Sequence, residues 1–226
     1  MRPLKITATL RGQIMDPKVH LDGLVAAQLA PEIGLPPIHA AGAELEANLE
    51  RLYVAVGEVL QRLDGFYAVS DPIFVAEEYD RRHISRRFPT EQAVAIGSPK
   101  VSRIAMSTGL SKTFRIPSRA ALLRDDKIEW FAVGKLERLL ELLVPVTNLG
   151  KKRSLGLGRV ESWRVQEVEP WEGFPILTNG VPMRPLPPGT PGIVHSRQSL
   201  ETLTFPYWDH SRRLLKWTDL HARCID

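Results

Sequence analysis

Residues 150–158 have the sequence GKKRSLGLG, in which glycines enclose three consecutive cationic side chains. Glycine adopts positive φ at little steric cost and lets backbone N–H groups approach a ligand closely, while the cations supply charge that attracts an anionic polymer. The segment therefore predicts a phosphate-binding loop, although an ordinary solvated turn is the alternative for any basic glycine-rich segment. The residues predicted to contact the ligand are Gly150, Lys151, Lys152, Arg153, Ser154, Gly156 and Gly158.

Two familiar nucleotide-binding loops do not fit this segment. A P-loop that starts at Gly150 requires a second glycine where the chain has Leu155, followed by lysine where it has Gly156. A dinucleotide fingerprint that starts at Gly156 has Glu161 in place of its third glycine, and it would follow a helix instead of a strand. We therefore expect neither a mononucleotide nor a dinucleotide cofactor.

A second basic segment lies at residues 81–124, which contain ten lysines and arginines and a single acid, Glu91. Such a block creates a local positive field that concentrates polyanions, although the net charge of the whole chain is only +4. Apolar residues such as Ile104 and Phe114 interrupt the block, so it does not resemble a polar tail. The alternative interpretation is a charged, solvated face with no binding role. Nucleic acid is the predicted partner, and the further contacts predicted here are Arg103, Lys112, Arg115 and Arg119.

Composition favours a folded cytoplasmic protein. The chain has 226 residues, 43% of them hydrophobic, which is enough for a sizeable core. Cys224 is the single cysteine and cannot form an internal disulfide, and no leader-like apolar stretch stands at the start of the sequence. The most apolar early run, Leu24 to Ala30, is too short to span a bilayer, so we expect no membrane attachment.

The periodicity of apolar residues predicts the elements that hold these loops. Alternation over residues 4–10 predicts a strand, and residues 128–133 and 159–168 predict two more. Residues 66–75, which Pro72 interrupts, predict an edge strand or two short strands. Helices are predicted near residues 22–29, with Asp22 as the cap, over 45–63, and over 136–143, where Pro145 ends the last one. When the first two helices are counted as one helical segment, this order is β-α-β-β-α-β, that of a ferredoxin-like α+β fold.

The chain changes character after Glu169, since eight of its eighteen prolines lie beyond that residue. Its aromatic content is too high for a disordered tail, because aromatic side chains gain from burial. We therefore predict a ferredoxin-like domain over residues 1–168, with a basic excursion inserted at about 81–124. A proline- and aromatic-rich extension over 169–226 is predicted to pack back on that domain.

The segment GKKRSLGLGRV after the last helix resembles the signature glycine loop of the repeat-associated mysterious protein (RAMP) superfamily of CRISPR subunits. Three more segments, HLDGLVAAQL at 20–29, FYAVSDPIF at 66–74 and MRPLP at 183–187, resemble the Cas five-like small subunit of type IV systems. The resemblance covers most of the chain.

The resemblance implies a noncatalytic subunit that grips the 5′ handle of CRISPR RNA and caps a filament of larger backbone subunits. It implies an RRM-like core, a β-hairpin thumb near Lys100–Arg124, and neighbours that are the Cas seven-like backbone subunit and the large subunit. Contact with target DNA is left open. No cofactor is implied.

Two other functions remain open. Relatives in the same superfamily cleave CRISPR repeat RNA without metal, and His20, helped by Tyr53 or a loop lysine, is the best candidate for such an endoribonuclease. The chain could also be a general RNA-binding protein outside CRISPR systems. Metal binding by His210, His221 and Cys224 is disfavoured because no CxxC pair accompanies them.

Overall fold

A three-stranded antiparallel sheet forms the centre of the molecule. In this sheet, β1 (Arg2–Arg11) lies between β6 (Lys127–Gly134) and β7 (Arg159–Glu167). The computed structural model describes residues 1–35, 43–86, 114–170, 176–178, 181–187, 190, 193, 197–207 and 213–218. Each of the three strands lies where the hydrophobic pattern predicts it.

Three helices cover one face of this sheet: α1 (Leu21–Glu32), α2 (Ala43–Gly57) and α3 (Leu136–Leu143). Every second residue of β1 points at them, because successive side chains of a strand alternate between faces. The fully buried Trp130 of β6 also lies in this layer, and its indole N–H donates to the carbonyl of Val19 at 2.9 Å. The buried side chains that form this core include Leu4, Ile6, Ala8, Leu10, Val25, Leu29, Leu139 and Leu143.

Residues 66–75, predicted as an edge strand or two short strands, pair with their neighbours only at intervals. A two-residue pair joins β2 (Arg62–Leu63) to β3 (Phe66–Tyr67). Farther along, isolated bridges join Val69 to Ala132 and Ile73 to Glu129 at the outer edge of β6. Proline at position 72 lacks the N–H that a continuous ladder requires, which accounts for an edge that pairs only at intervals.

Part of the basic block lies in a separate two-stranded antiparallel sheet, which we call the hairpin. Its strands are β4 (Ala76–Arg86) and β5 (Phe114–Leu123), and their register places Arg81 opposite Arg119. The hairpin starts earlier than the predicted boundary at residue 81, so it includes Glu77, Glu78 and Asp80 as well as the cations. Residues 87–113, which contain the predicted contacts Arg103 and Lys112, lie outside the described residues.

Short strands characterise the part of the C-terminal segment that is described. They are β8 (Leu177–Thr178) with β9 (Val181–Pro182), and β10 (Arg197–Thr202) with β11 (Arg213–Thr218). Phe205 is buried in the main core and its ring packs against that of Tyr53, at 4.8 Å between centroids. This part of the segment therefore contacts the helical layer, and the division of the chain into two domains stays a prediction.

Arg184 attaches the C-terminal segment to the rest of the molecule. The residue is only 4% exposed, and its Nη1 donates to the carbonyls of Tyr67 and Val69 at 3.2 Å each. Its Nη2 donates to the hydroxyl of Tyr207 at 3.1 Å, and Nη1 lies 3.7 Å from the carboxylate of Asp22. A buried charge is tolerated when it is paired and hydrogen-bonded in this way.

The prediction that Asp22 caps α1 is wrong. The residue before the helix is His20, which makes no side-chain cap, and Asp22 lies within the first turn and is 1% exposed. Its carboxylate instead accepts the single proton of the Tyr207 hydroxyl, whose oxygen lies 2.7 and 2.6 Å from the two carboxylate oxygens. The coarse prediction of a mixed α and β chain with antiparallel sheets is confirmed.

Candidate nucleic-acid interface

The glycine loop is residues 150–158, between α3 and β7, and two of its glycines are required by backbone contacts. Gly150 has φ of 75°, and a Cβ there would lie 2.3 Å from the carbonyl oxygen of Met15. Gly158 has φ of 64°, and its Cβ would lie 1.9 Å from the carbonyl oxygen of Leu149. No side chain fits at such distances, so the shape of the loop depends on glycine at both ends.

The cations of the glycine loop differ in how they are engaged. Lys151 forms an ion pair with Asp16, with 2.7 Å between Nζ and Oδ2. Lys152 is exposed and has a left-handed backbone conformation, with φ of 59°. It starts a turn in which Arg153 and Ser154 are also exposed. Within the described residues, neither Lys152 nor Arg153 makes an ion pair. These two side chains are therefore available to an anionic ligand.

A short connector, residues 13–16, supports the glycine loop through backbone hydrogen bonds. The N–H of Gly158 donates to the carbonyl of Gln13 at 2.8 Å, and the N–H of Lys151 donates to the carbonyl of Met15 at 2.8 Å. The connector continues directly from β1, so the central sheet fixes its position. The glycine loop is consequently held at both ends by main-chain hydrogen bonds.

The same connector also holds the base of the hairpin. Ile14 and Ala121 exchange two backbone hydrogen bonds, at 2.9 and 2.8 Å, and the guanidinium of Arg82 donates to the side-chain oxygen of Gln13 at 2.6 Å. The connector therefore contacts the glycine loop through one set of backbone groups and β5 through another. The structure brings together the two basic segments that the sequence analysis identified separately.

Several cations of the hairpin face solvent. Arg81 and Arg119 are exposed and directly opposite each other, and Arg115 is exposed one position beyond Ile116. Two other cations of the block are partly neutralised: Arg82 bonds Asp80 at 2.7 Å, and Arg124 lies 3.3 Å from Glu77. The positive field of the hairpin is thus weaker than a count over 81–124 suggests, because β4 begins with acids.

His20, the candidate catalytic residue of the rival prediction, is engaged in packing. Its ring stacks on that of Tyr207, with 3.7 Å between centroids and an interplanar angle of 15°. Its Nδ1 lies 3.7 Å from a carboxylate oxygen of Asp71, beyond hydrogen-bond distance. The hydroxyl of Tyr53, the suggested assistant, donates to the carbonyl of Phe205 at 2.7 Å.

Metal binding has no support in the part of the chain that is described. No cluster of three or more His, Cys, Asp or Glu side chains suited to an ion occurs among those residues. The three candidate ligands His210, His221 and Cys224 lie outside them.

Within the same described residues, no helix is both long enough and apolar enough to cross a bilayer.

Sequence reasoning missed the connector entirely. Gln13 and Met15 act through their carbonyl groups, which every residue carries, so their types give no signal. Arg11, the last residue of β1, and Arg159, the first residue of β7, were not singled out either. Only the strand register places them opposite each other.

The fold and the interface together define a mixed α and β protein with antiparallel sheets, an exposed cationic glycine loop and a long basic hairpin. The chain belongs to the family described as CRISPR type IV associated protein Csf3, whose model matches residues 54–218. The resemblance to the type IV subunit noted in the sequence is thereby confirmed. None of the curated proteins matches this sequence.

Solved structures of CRISPR complexes contain similar chains. A chain of the Csm3–Csm4 subcomplex in the type III-A CRISPR–Cas interference complex is 10% identical, with 97% of this chain and 91% of that chain covered and a TM-score of 0.43. A chain of the Csm1–Csm4 cassette in complex with pppApApA is 13% identical, with 97% and 86% covered and a TM-score of 0.39. The family assignment depends on the family model alone.

Proposed function

We propose that this chain is a noncatalytic RNA-binding subunit of a type IV CRISPR effector complex. In this proposal it grips the 5′ handle of CRISPR RNA and caps one end of a filament of Cas seven-like backbone subunits, beside the large subunit. The family membership supports the setting. The order β6-β1-β7, with residues 69–73 bridged to the outer edge of β6, fits the ferredoxin-like plan of that superfamily.

The observation that carries the proposal is the shared support of two basic segments. The connector bonds Lys151 and Gly158 of the glycine loop and, one residue away, Ala121 of the hairpin. The exposed cations Lys152 and Arg153 and the pair Arg81 and Arg119 therefore extend from one fixed base. An RNA strand that enters between loop and hairpin would meet phosphate-binding groups on both sides.

The chemistry of these groups suits an RNA backbone. Contacts from arginine and lysine release the counterions that are condensed on the RNA strand. Glycine residues let a phosphate come close enough for backbone N–H groups to donate hydrogen bonds to it. The affinity should therefore depend steeply on salt concentration. Recognition of a handle also requires contacts to bases. The glycine loop contains no aromatic residue on which a base could stack, so these contacts would have to come from other residues.

The proposal that the subunit is noncatalytic is supported by the surroundings of His20. One face of the imidazole is covered by Tyr207, and the side chain is only 33% exposed. A general acid or base must reach the 2′-hydroxyl or the leaving oxygen within hydrogen-bond distance. A packing role for His20 explains its contacts without such a reaction.

The loop is tested by replacing Lys152 and Arg153 together with glutamine. A matched control is Arg62→Gln with Lys135→Gln, because it removes the same charge from two exposed positions at the other end of β6. Filter binding of a CRISPR RNA should weaken with the loop variant and hardly change with the control, while both keep the melting temperature. Equal affinities for the two variants would contradict the loop assignment.

RNA that copurifies with the protein tests the rest of the proposal. Uniform short RNAs with one common 5′ end support recognition of a handle, whereas a heterogeneous mixture of cellular RNAs favours a general RNA-binding protein. The endoribonuclease alternative is tested by incubating end-labelled repeat RNA with the protein in EDTA. Site-specific cleavage that His20→Ala abolishes would replace the noncatalytic proposal with the enzyme.

A further inference from the structure

The face of the central sheet that points away from the helices carries a group of exposed cations. Leu10 is buried in the core, so the next residue, Arg11, points to the opposite face. Val160 packs against the same core, so Arg159 also points away from the helices. The register of β1 and β7 places Arg11 directly opposite Arg159, and both side chains are exposed.

Two more exposed cations extend this pair across the same face. Lys127 of β6 is paired with Thr9, and Arg164 of β7 is paired with Thr7. We call these four residues the sheet strip: Arg11, Lys127, Arg159 and Arg164. Within the described residues, none of the four makes an ion pair, whereas Lys5 on the same face binds Glu129 at 2.8 Å.

The like-charged pair in the sheet strip has no evident structural purpose. Identical charges directly opposite each other across two strands destabilise a sheet, so Arg11 and Arg159 repel each other in the free protein. An acid is near in sequence, since Glu161 is the extra residue of the bulge that precedes Ser162. It forms no ion pair with the strip in the described structure. A bound anion would relieve the repulsion.

The sheet strip is continuous with the glycine loop. Arg11 is the last residue of β1 before the segment that supports the loop, and Arg159 directly follows Gly158. Successive side chains on one face of a strand are about 7 Å apart, a spacing that consecutive phosphates of an extended strand can match. The hydroxyls of Thr9 and Ser162 lie in the same rows and can bond phosphate or ribose oxygens.

We infer that the sheet strip binds the phosphodiester backbone of the same single-stranded RNA, on the nucleotides next to those held by the glycine loop. The inference rests on the proposed function, because the RNA must first reach the loop. The strip consists of cations and neighbouring hydroxyls, which contact phosphates and sugars instead of base edges. Its contribution is therefore independent of sequence and requires an RNA long enough to extend from the loop to the strip.

The test compares three purified variants of the full chain. They are Arg11→Gln with Arg159→Gln, the loop variant Lys152→Gln with Arg153→Gln, and the control Arg62→Gln with Lys135→Gln. Each removes two exposed positive charges, so net charge is matched. Affinity is measured against salt concentration for a handle-length RNA and for the same RNA extended by unrelated nucleotides, with melting temperatures recorded alongside.

We expect the strip variant to bind the extended RNA more weakly than the control does. The slope of log affinity against log salt should become shallower by roughly 1.4, since each single-strand phosphate contact contributes about 0.7. The loss should be smaller for the short RNA. The strip variant should melt no lower than the wild type, because it removes a repulsive pair.

Two results would overturn the inference, and they differ in what they leave standing. If the strip variant binds both RNAs as the control does while the loop variant is weakened, the inference fails and the proposed function survives. If the loop variant also binds as the control does, the proposed function fails and the strip loses its basis. An equal loss on short and extended RNA also contradicts the inference, because the strip would then touch the handle itself.

Discussion

The hydroxyl of Tyr207 lies 2.7 and 2.6 Å from the two carboxylate oxygens of Asp22 and thereby joins the C-terminal segment to the first helix. Arg184, which also belongs to the C-terminal segment, completes the group. Burial acts to lower the pKa of Arg184, but Tyr207 and Asp22 outweigh it and raise that pKa above its usual range. The guanidinium therefore stays charged, and Asp22 is its acidic partner.

Replacing Asp22 with asparagine should destabilise the protein strongly. Removing one partner of a buried ion pair leaves the other charge uncompensated, which costs about 3–5 kcal/mol of the free energy of unfolding. Urea denaturation of the variant measures this loss. The side chain of Arg184 would then keep its backbone carbonyl partners but not its counter-charge.

A double-mutant cycle with Arg184→Met separates the pair from other effects. Because both single variants break the same contact, the double variant should lose less stability than the sum of the two, by about 0.5–3 kcal/mol. Additive losses would show that Asp22 and Arg184 are not coupled. Glu44→Gln is a suitable control, since it removes an exposed acid from the first turn of another helix.

Alkaline conditions should weaken the attachment of the C-terminal segment. Burial first, and then the charge of Asp22, raise the pKa of Tyr207 well above its ordinary value of 10.0. Above that value the unfolded chain loses the phenolic proton while the folded chain keeps it, so the folded state binds more protons. The free energy of unfolding must therefore fall as the pH rises beyond about 10.

Comparing the wild type with Tyr207→Phe at about pH 8 and about pH 11 tests this linkage. Phenylalanine keeps the stack on His20 but has no proton to lose, so the variant should show a shallower decline in stability. Some decline remains, because burial raises the pKa of Tyr67 as well. An identical pH dependence in the two proteins would exclude Tyr207 as a source of the alkaline loss.

The sequence predicted those elements whose signal is local. Alternation over residues 4–10 located β1, and the apolar spacing over 136–143 located α3, because each pattern reflects burial of one face. Asp22 was assigned as a cap because aspartate suits that position, but its partners Arg184 and Tyr207 lie far along the chain. Long-range pairing overrode the local preference.

The interface was predictable in composition and not in arrangement. The glycine loop was found from its residue types, because glycines that enclose three cations favour a turn whose backbone and charges suit an anion. Its link to the hairpin could not be found, because the connector acts through backbone carbonyls such as that of Gln13. Likewise, Arg11 and Arg159 become neighbours only through a register that includes a bulge after Thr9.

Gly156 and Gly158 of the glycine loop should respond differently to alanine. At Gly158 the new Cβ would collide with the carbonyl of Leu149, whose own N–H is bonded to Gly158 at 2.7 Å. At Gly156, where φ is 78°, a Cβ meets nothing within 4 Å, so only backbone strain of about 1–2 kcal/mol applies. Gly158→Ala should therefore lower both the melting temperature and RNA affinity further than Gly156→Ala does.

Gly156→Ala serves as the matched control in that comparison. Both variants add one methyl group at a residue with positive φ in the same loop, so they differ mainly in the collision. Thermal unfolding and RNA titration of the two proteins are sufficient. Equal losses would mean that the backbone near Leu149 moves aside freely, and the rigid support by the connector would then be wrong.

Asp16 should weaken RNA binding, because its carboxylate forms an ion pair with the ammonium group of Lys151 at 2.7 Å. Asparagine tolerates the left-handed conformation of this residue, where φ is 57°, so Asp16→Asn should fold normally. It frees one cation and removes one repulsive charge beside the glycine loop. Since exposed ion pairs are worth about 0.2–1 kcal/mol, the RNA affinity should rise by up to about fivefold.

Asp64→Asn is the matched control for that variant, since it removes one exposed acid in the turn between β2 and β3. It changes the net charge equally, so an effect through the overall field would appear in both variants. The gain expected for Asp16→Asn should also disappear when Lys151→Gln is added, because no cation is then released. A gain of the same size in the control, or one that survives Lys151→Gln, would show that the ion pair does not restrain the loop.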